Sequence, residues 1–230
     1  YLPTHLPMSG SISERINTVR AQLPPSVRLI AVTKQVPSDV IRAAYTAGIR
    51  DFGENRIQEA IAKQAELQDL SDITWHFIGH LQSNKAKKAL ENFQWIHSVD
   101  NLKLAQRLNE LAQQIGISPC VCLQVKILPD PNKSGWSVPQ LLADLPTLNQ
   151  YKNLQIQGLM TIPPLGLNDQ EIMAVFNRTR ELAQEIREQN WPHIQMQHLS
   201  MGMSGDYQLA VEAGATMVRL GTILFGERGN

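Results

Sequence analysis

Short apolar runs rich in β-branched residues alternate with amphipathic stretches along nearly the whole chain. Such runs predict buried strands, and stretches with an apolar residue every three or four positions predict helices. An opening amphipathic segment predicts a helix before the first strand, with Ile12, Ile16, Val19 and Leu23 on one face. The predicted strands lie at residues 28–33, 50–53, 74–79, 95–99, 120–128, 154–161, 195–200 and 216–220.

Alternating strands and helices favour an α/β fold with a parallel sheet and right-handed crossovers. Eight units in 230 residues allow about 29 residues each, which is compact for a (β/α)8 TIM barrel of about 250 residues. An open doubly wound sheet is the alternative. No linker-like stretch divides the chain, so we expect one barrel domain over residues 10–230 with an extra N-terminal helix. Since residue 1 is not methionine, residues 1–7 are interpreted as a tag remnant or a flexible extension.

Composition argues against several classes of function. The chain has 21 Lys+Arg against 21 Asp+Glu, so no net charge draws it to nucleic acid or to an anionic membrane. It shows no run of 18 apolar residues and no signal peptide, and we expect a cytoplasmic globular protein. The basic residues that we predict to form a solvated face are Lys63, Lys85, Lys87 and Lys88.

The two cysteines, Cys120 and Cys122, lie two positions apart in the fifth predicted strand. We expect two buried, free thiols that point to opposite faces of that strand. The spacing is neither that of a zinc site nor that of a redox pair, and we predict no metal site.

Polar residues stand where several predicted strands end, and active sites of barrels of this type lie at the carboxyl ends of the strands. Lys34 directly follows the first strand, and Asn55 follows the second. A lysine at the mouth of a low-dielectric barrel can act as an amine nucleophile. A lysine that merely solvates the end of a strand would occupy the same position.

Two small-residue segments follow the seventh and eighth strands, where barrels often bind phosphate. Hydroxyls of Ser200 and Ser204 with nearby backbone N–H groups can hold a phosphate, and Gly221 and Thr222 offer further donors. Ordinary turns would have the same composition. Arg219 lies in an otherwise apolar strand and needs a partner there, either a ligand or a structural ion pair.

A lysine amine near a phosphate cradle suggests a phosphorylated carbonyl compound that binds as a Schiff base. Pyridoxal 5′-phosphate (PLP) and the sugar phosphate of an aldolase both fit this description. The residues by themselves leave the choice between them open.

Seven blocks of the sequence occur in an order and spacing that match a known family. The blocks are Ala31–Lys34, Phe52–Asn55 with Gln58-Glu59, His76–Gln82, Asn132–Gly135, Gly158–Met160, Leu199–Ser204, and Met217–Thr222 with Phe225-Gly226. They resemble the pyridoxal phosphate homeostasis proteins (the YggS/PROSC family), and the resemblance runs from about residue 10 to the C-terminus.

The resemblance implies a barrel like the N-terminal domain of alanine racemases, with PLP as the cofactor. Lys34 would carry PLP as a Schiff base, Arg219 would face the pyridine nitrogen, and Asn55 would lie near the lysine and the ring. The phosphate would be held by Ser200, Gly221 and Thr222, with Ser204 assisting.

An arginine beside the ring nitrogen favours an unprotonated pyridine, a weaker electron sink than one paired with a carboxylate. Alanine racemase adds a second acid/base residue from a separate domain across a dimer, whereas this chain ends at Asn230. We therefore expect a monomeric, non-catalytic PLP-binding protein of vitamin B6 and amino-acid homeostasis that contacts PLP-requiring apoenzymes transiently. The alternatives are a PLP-dependent amino-acid racemase and, less favoured, a Schiff-base aldolase.

Overall fold

A closed parallel barrel dominates the computed structural model, which describes residues 10–227. The strands are β1 Arg28–Val32, β2 Asp51–Glu54, β3 Thr74–Phe77, β4 Trp95–Val99, β5 Cys120–Lys126, β6 Trp136–Ser137, β7 Gln155–Met160, β8 Ile194–Ser200 and β9 Met217–Leu220. All except the short β6, which pairs with β5, join in chain order around the barrel, and β9 pairs back with β1. This closure confirms the predicted barrel and excludes the open sheet.

Helices follow the strands and cover the outside of the barrel. They are α1 Ile12–Gln22, α2 Ser38–Thr46, α3 Ile57–Glu66, α4 Ala86–Asn92, α5 Leu102–Ile115, α6 Val138–Leu148, α7 Asp169–Glu188, α8 Tyr207–Glu212 and α9 Thr222–Phe225, with a 3-10 turn at Ser83–Lys85. The predicted helix before β1 is confirmed as α1. It begins at a capping box in which Ser11 and Glu14 exchange side-chain to backbone hydrogen bonds, satisfying two N–H groups of the first turn.

Two parts of the predicted domain organisation lie outside the described residues. The interpretation of residues 1–7 concerns a segment that the structure does not describe, and the predicted boundary at residue 230 lies three residues beyond the described range. Both stay predictions. Among residues 10–227, no helix is long and apolar enough to span a membrane.

The apolar core has two parts. One fills the space between barrel and helices, and a smaller cluster of Ile30, Trp95, Cys122, Met160 and Met217 lies inside the barrel. Cys120 packs against this inner cluster too, so the prediction that the two cysteines point to opposite faces is wrong. Residues two positions apart in a strand point to the same face. Both are free thiols, and burial raises the pKa of Cys122 to about 12.

Candidate functional site

Lys34 lies in a tight turn just beyond the carboxyl end of β1. Its side chain is exposed and, within residues 10–227, forms no hydrogen bond or ion pair. The turn is closed by Gln35, whose φ of 59° lies in the left-handed region. Ala31 pairs with Leu220 of β9, so Lys34 and the segment from Gly221 emerge from neighbouring strands at the same mouth of the barrel.

A buried ammonium group fixes the residues on both sides of Lys34. Lys63 Nζ of α3 lies 2.5 Å from the carbonyl oxygen of Thr33, 2.8 Å from Glu54 Oε1 and 2.8 Å from Glu59 Oε1. Glu59 Oε1 also accepts a short hydrogen bond from the backbone N–H of Gln35. One ion cluster therefore holds residues 33 and 35. The prediction that Lys63 belongs to a solvated face is wrong, because two carboxylates and a carbonyl draw it beneath the turn.

Two polar atoms at the end of β2, Glu54 Oε2 and Asn55 Oδ1, are buried and find no hydrogen-bond partner among residues 10–227. Glu54 is fully buried, and burial raises the pKa of its carboxyl despite the hydrogen bonds from Lys63 and Thr33. The backbone of Asn55 packs so closely on Gly79 that a Cβ at residue 79 would overlap the Asn55 carbonyl oxygen. Asn55 is thus fixed at the mouth with an unused acceptor, which a donor on a ligand would satisfy.

Arg219 of β9 is 3% exposed and faces the barrel axis. Its Nη1 donates to Ser200 Oγ at 2.9 Å and to the Ser200 carbonyl at 3.3 Å, and its Nη2 donates to the Thr161 carbonyl at 3.3 Å. Within the described range no carboxylate pairs with it, so the expected alternative of a structural ion pair is not what holds it. Burial lowers the pKa of Arg219 to about 10.

The structure separates the two predicted phosphate-binding serines. Ser200 is fully buried inside the barrel, where its hydroxyl contacts Arg219 and lies 2.7 Å from His97 Nδ1. Ser204 lies at the mouth, and its hydroxyl accepts hydrogen bonds of 3.3 Å from the backbone N–H groups of Gly221 and Ile223. Two backbone donors thus converge on one oxygen beside Thr222, an arrangement that also suits an oxygen of a phosphate.

The sequence analysis missed three polar residues that organise this mouth: Glu54, Lys63 and His97. His97 carried a readable signal, because it stands two residues after Trp95 in an apolar strand and therefore faces the barrel interior. Lys63 carried only its spacing of four from Glu59 on the same helix, since its other partners, Thr33 and Glu54, come from the ends of β1 and β2 and only the folded chain brings them together.

Comparison with known proteins assigns the chain to a family. The sequence profile of the family described as "Alanine racemase, N-terminal domain" matches residues 9–229. The pyridoxal phosphate homeostasis protein of Synechocystis sp. is 56% identical over 208 residues, which is 90% of this chain and 94% of that protein. The corresponding protein of Pseudomonas aeruginosa is 44% identical over 230 residues, which is 95% of this chain and 96% of that one. This chain belongs to the pyridoxal phosphate homeostasis protein family.

Solved structures agree with this assignment. PipY of Synechococcus elongatus, solved with PLP bound, is 56% identical and superimposes with a TM-score of 0.90, covering 94% of this chain and all of PipY. An alanine racemase of Clostridium difficile superimposes with a TM-score of 0.74 at 17% identity, and the match covers 96% of this chain but 57% of the racemase. The second likeness concerns the fold alone. The resemblance on the seven sequence blocks is confirmed.

Proposed function

We propose that this chain binds PLP at the carboxyl-end mouth of its barrel, held as a Schiff base on Lys34, and acts in intracellular vitamin B6 and amino-acid homeostasis. One observation carries the proposal. The free amine of Lys34 and the buried guanidinium of Arg219 extend from the paired strands β1 and β9, beside backbone N–H groups that converge on one oxygen. The PLP-bound relative PipY supports it.

The residues at the mouth fit PLP, group by group. Bound PLP supplies an aldehyde that links reversibly to amines and a pyridine ring that withdraws electrons. Lys34 offers the amine, and Asn55 offers an unused acceptor close to it. Gly221, Thr222 and Ser204 would hold the phosphate. Ser200 was predicted to share in this task, and that contact stays a prediction; its hydroxyl accepts from Arg219, which supports a further role for Ser200 through that guanidinium.

Arg219 favours binding without turnover. With a pKa of about 10 the guanidinium keeps its proton at neutral pH, so it can only donate to the ring nitrogen of PLP held at this mouth and would leave that nitrogen unprotonated. An unprotonated ring stabilises negative charge on a bound amino acid poorly, and this is the charge that racemisation needs. We therefore propose a non-catalytic role. Monomeric state, cytoplasmic location and transient contact with PLP-requiring apoenzymes stay predictions.

A PLP titration followed by visible absorbance tests the covalent link. Wild-type protein should develop the absorbance of a protein-bound Schiff base at one equivalent of PLP. Lys34→Ala should not, while Lys87→Ala, which removes an exposed lysine of α4, should behave as wild type. Equal absorbance in all three proteins would overturn the proposal.

Exchange of the α-proton of L-alanine in D2O tests the absence of turnover. We expect the PLP-loaded protein to exchange this proton no faster than free PLP at the same concentration. Exchange that is several hundredfold faster and lost in Lys34→Ala would instead establish a racemase-type enzyme.

A further inference from the structure

A chain of buried polar side chains crosses the inside of the barrel from its amino-end mouth to Arg219. Asp51 Oδ1 lies 2.8 Å from His76 Nε2, and His76 Nδ1 lies 2.9 Å from His97 Nε2. His97 Nδ1 then lies 2.7 Å from Ser200 Oγ, which accepts from Arg219 Nη1 at 2.9 Å. The chain links the first residue of β2 to the last residue of β8.

The two ends of this chain fix the direction of every hydrogen bond within it when both imidazoles are neutral. Arg219 can only donate and the carboxylate of Asp51 can only accept, so His76 carries its proton on Nε2 and donates it to Asp51. Neutral His76 then accepts on Nδ1 from His97 Nε2–H. Neutral His97 in turn accepts on Nδ1 from the Ser200 hydroxyl, whose lone pairs are left to accept from Arg219.

Burial keeps both rings neutral, as this arrangement requires. His76 and His97 are fully buried, and burial lowers the pKa of each, that of His97 well below its ordinary value. The charge of Arg28 acts in the same direction on both rings and that of Arg219 on His97, whereas Asp51 partly opposes the effect of burial on the pKa of His76. Trp95 stacks on His76 with ring centroids 5.7 Å apart, which limits rotation of that ring. Asp51 is partly exposed at the amino-end mouth, 3.8 Å from Arg28.

We infer that His97 is a positioning residue for Arg219. Together with His76 and Asp51 it forms a one-directional hydrogen-bond chain that keeps the Ser200 hydroxyl as an acceptor for Arg219. The chain thereby orients the guanidinium toward a ligand at the carboxyl-end mouth. The inference deepens the proposed function, on which it rests for the identity of that ligand. Within residues 10–227, Arg219 forms no ion pair, and the carboxylate of Asp206 acts on it only at longer range. The hydroxyl that this chain orients is therefore the side-chain oxygen to which Arg219 donates a hydrogen bond.

The chain predicts a definite protonation pattern that does not depend on PLP. Long-range proton–nitrogen NMR spectra of the protein without added PLP should show both His76 and His97 as neutral Nε2–H tautomers at pH 7. Assignment of each signal by His76→Asn and His97→Asn identifies the rings. An Nδ1–H tautomer or a charged ring at either position would overturn the inference, whether or not the protein binds PLP.

Variants test the effect on the ligand. His97→Leu removes the acceptor of the Ser200 hydroxyl, and we expect the dissociation constant for PLP to rise about tenfold, the equivalent of one hydrogen bond, with an altered visible spectrum of the bound PLP. His97→Asn places an oxygen near the position of Nδ1 and should restore most of both. His198→Asn is the control for general packing, because His198 also lies in the barrel and packs edge-on against Trp95, but within residues 10–227 its side chain hydrogen-bonds to Thr216 and not to a member of this chain.

The possible outcomes distinguish a failure of the proposed PLP binding from a failure of the positioning role of His97. If wild-type protein fails to bind PLP, the proposed function fails, while the NMR tautomers still judge the chain. If wild type binds PLP and His97→Leu binds it with an unchanged spectrum and affinity, the positioning role is refuted. If His97→Leu does not fold, His97→Asn and the wild-type tautomers decide. An effect of His198→Asn as large as that of His97→Leu would point to general packing and would also refute it.

Discussion

Lys34 and Arg219 carry the same formal charge in opposite surroundings. Lys34 is exposed in a turn, whereas Arg219 is almost fully buried and contacts a hydroxyl and two carbonyl oxygens. A flexible exposed amine can form and break a covalent bond, and a fixed planar guanidinium can direct a hydrogen bond. The two cations are therefore suited to different tasks toward one ligand, attachment and orientation.

Arg219→Lys tests the orienting task. An ammonium keeps the positive charge but cannot donate to Ser200, Thr161 and a ring nitrogen in one plane. We expect PLP affinity to fall about tenfold, as measured by absorbance titration. Arg28→Lys, at the opposite mouth of the barrel, should leave affinity within about twofold. Equal losses in the two variants would contradict a specific role for Arg219.

The thiol of Cys122 offers a test of the barrel interior. Burial raises its pKa to about 12, and the thiolate is the reactive form, so at pH 8 very little of it is available. We predict that a thiol reagent labels Cys122 in denaturant but not in the folded protein, as followed by mass spectrometry of the peptides. Rapid labelling of Cys122 in the folded protein would mean that the barrel interior opens to solvent.

At the scale of elements, α3 stabilises the turn after β1 from below. Its Lys63 joins the carbonyl oxygen of Thr33 to the carboxylates of Glu54 and Glu59, and Glu59 in turn accepts from the backbone of Gln35. Rigid attachment at residues 33 and 35 leaves the side chain of Lys34 as the mobile part. The geometry of the proposed PLP link therefore depends on a helix that need not touch the ligand.

Lys63→Met tests this dependence. It leaves Glu54 buried without its cation, and we expect the free energy of unfolding to fall by about 3–5 kcal/mol, measured by urea denaturation. Lys87→Met breaks only the exposed pair with Glu91 and should cost less than about 0.5 kcal/mol. A similar, small effect of both substitutions would show that the buried cluster contributes little.

The loss in Lys63→Met should depend on pH. The pKa of Glu54 is already raised by burial, and without Lys63 it rises further. Above the unfolded value, the folded variant then binds more protons than the unfolded chain, so its stability falls as pH rises through that range. We expect the deficit relative to wild type to be smaller at pH 5 than at pH 8. A larger deficit at pH 5 would contradict the assignment to Glu54.

The strands of this barrel were predictable because each is a short apolar run between polar turns. The predicted 95–99 agrees with β4, and the predicted 74–79 overran β3 by two residues, since Ile78 continues the apolar run after the pairing has ended. The two-residue β6 carries too little pattern to be recognised. Lys34, Asn55 and Ser204 were predicted to follow strands, and the structure has them at the carboxyl-end mouth, because position relative to a strand end is a local property of the sequence.

Contacts between distant strands were not predictable in the same way. His97 and Ser200 are separated by 103 residues, and their hydrogen bond exists only because the barrel closes. The contact of Ser200 with Arg219 was not predictable for the same reason, since the sequence shows that Ser200 ends a strand but not which way its side chain points. The burial of Lys63 likewise follows from three elements that meet in space.

At the scale of the whole molecule, the barrel closes at a seam between β8 and β9. Within the described residues, the ladder there pairs Ser200 with Met217, whereas β7 and β8 pair along Ile156–Met160. Arg219 bridges the seam through its bonds to Ser200, and Ser204 bridges it again through Gly221. Two of the side chains proposed to hold PLP, those of Arg219 and Ser204, thus also join the two strands.

Hydrogen exchange tests whether PLP binds at the seam between β8 and β9. The amides of Met201 and Thr216, which donate across the seam, should exchange faster than those between β7 and β8, and PLP should slow them. Mass spectrometry of peptides from the protein with and without PLP measures both effects. Protection that PLP leaves unchanged at the seam would contradict a binding site there.

The covalent attachment of PLP to Lys34 is the central claim, and borohydride reduction tests it most directly. Reduction of the PLP-loaded protein makes a Schiff base permanent, and digestion then locates the added mass. We predict one modified peptide, the one that contains Lys34, and no modified peptide in Lys34→Ala treated in parallel. Modification of a different lysine in wild type, or none in protein that has bound PLP, would contradict the account.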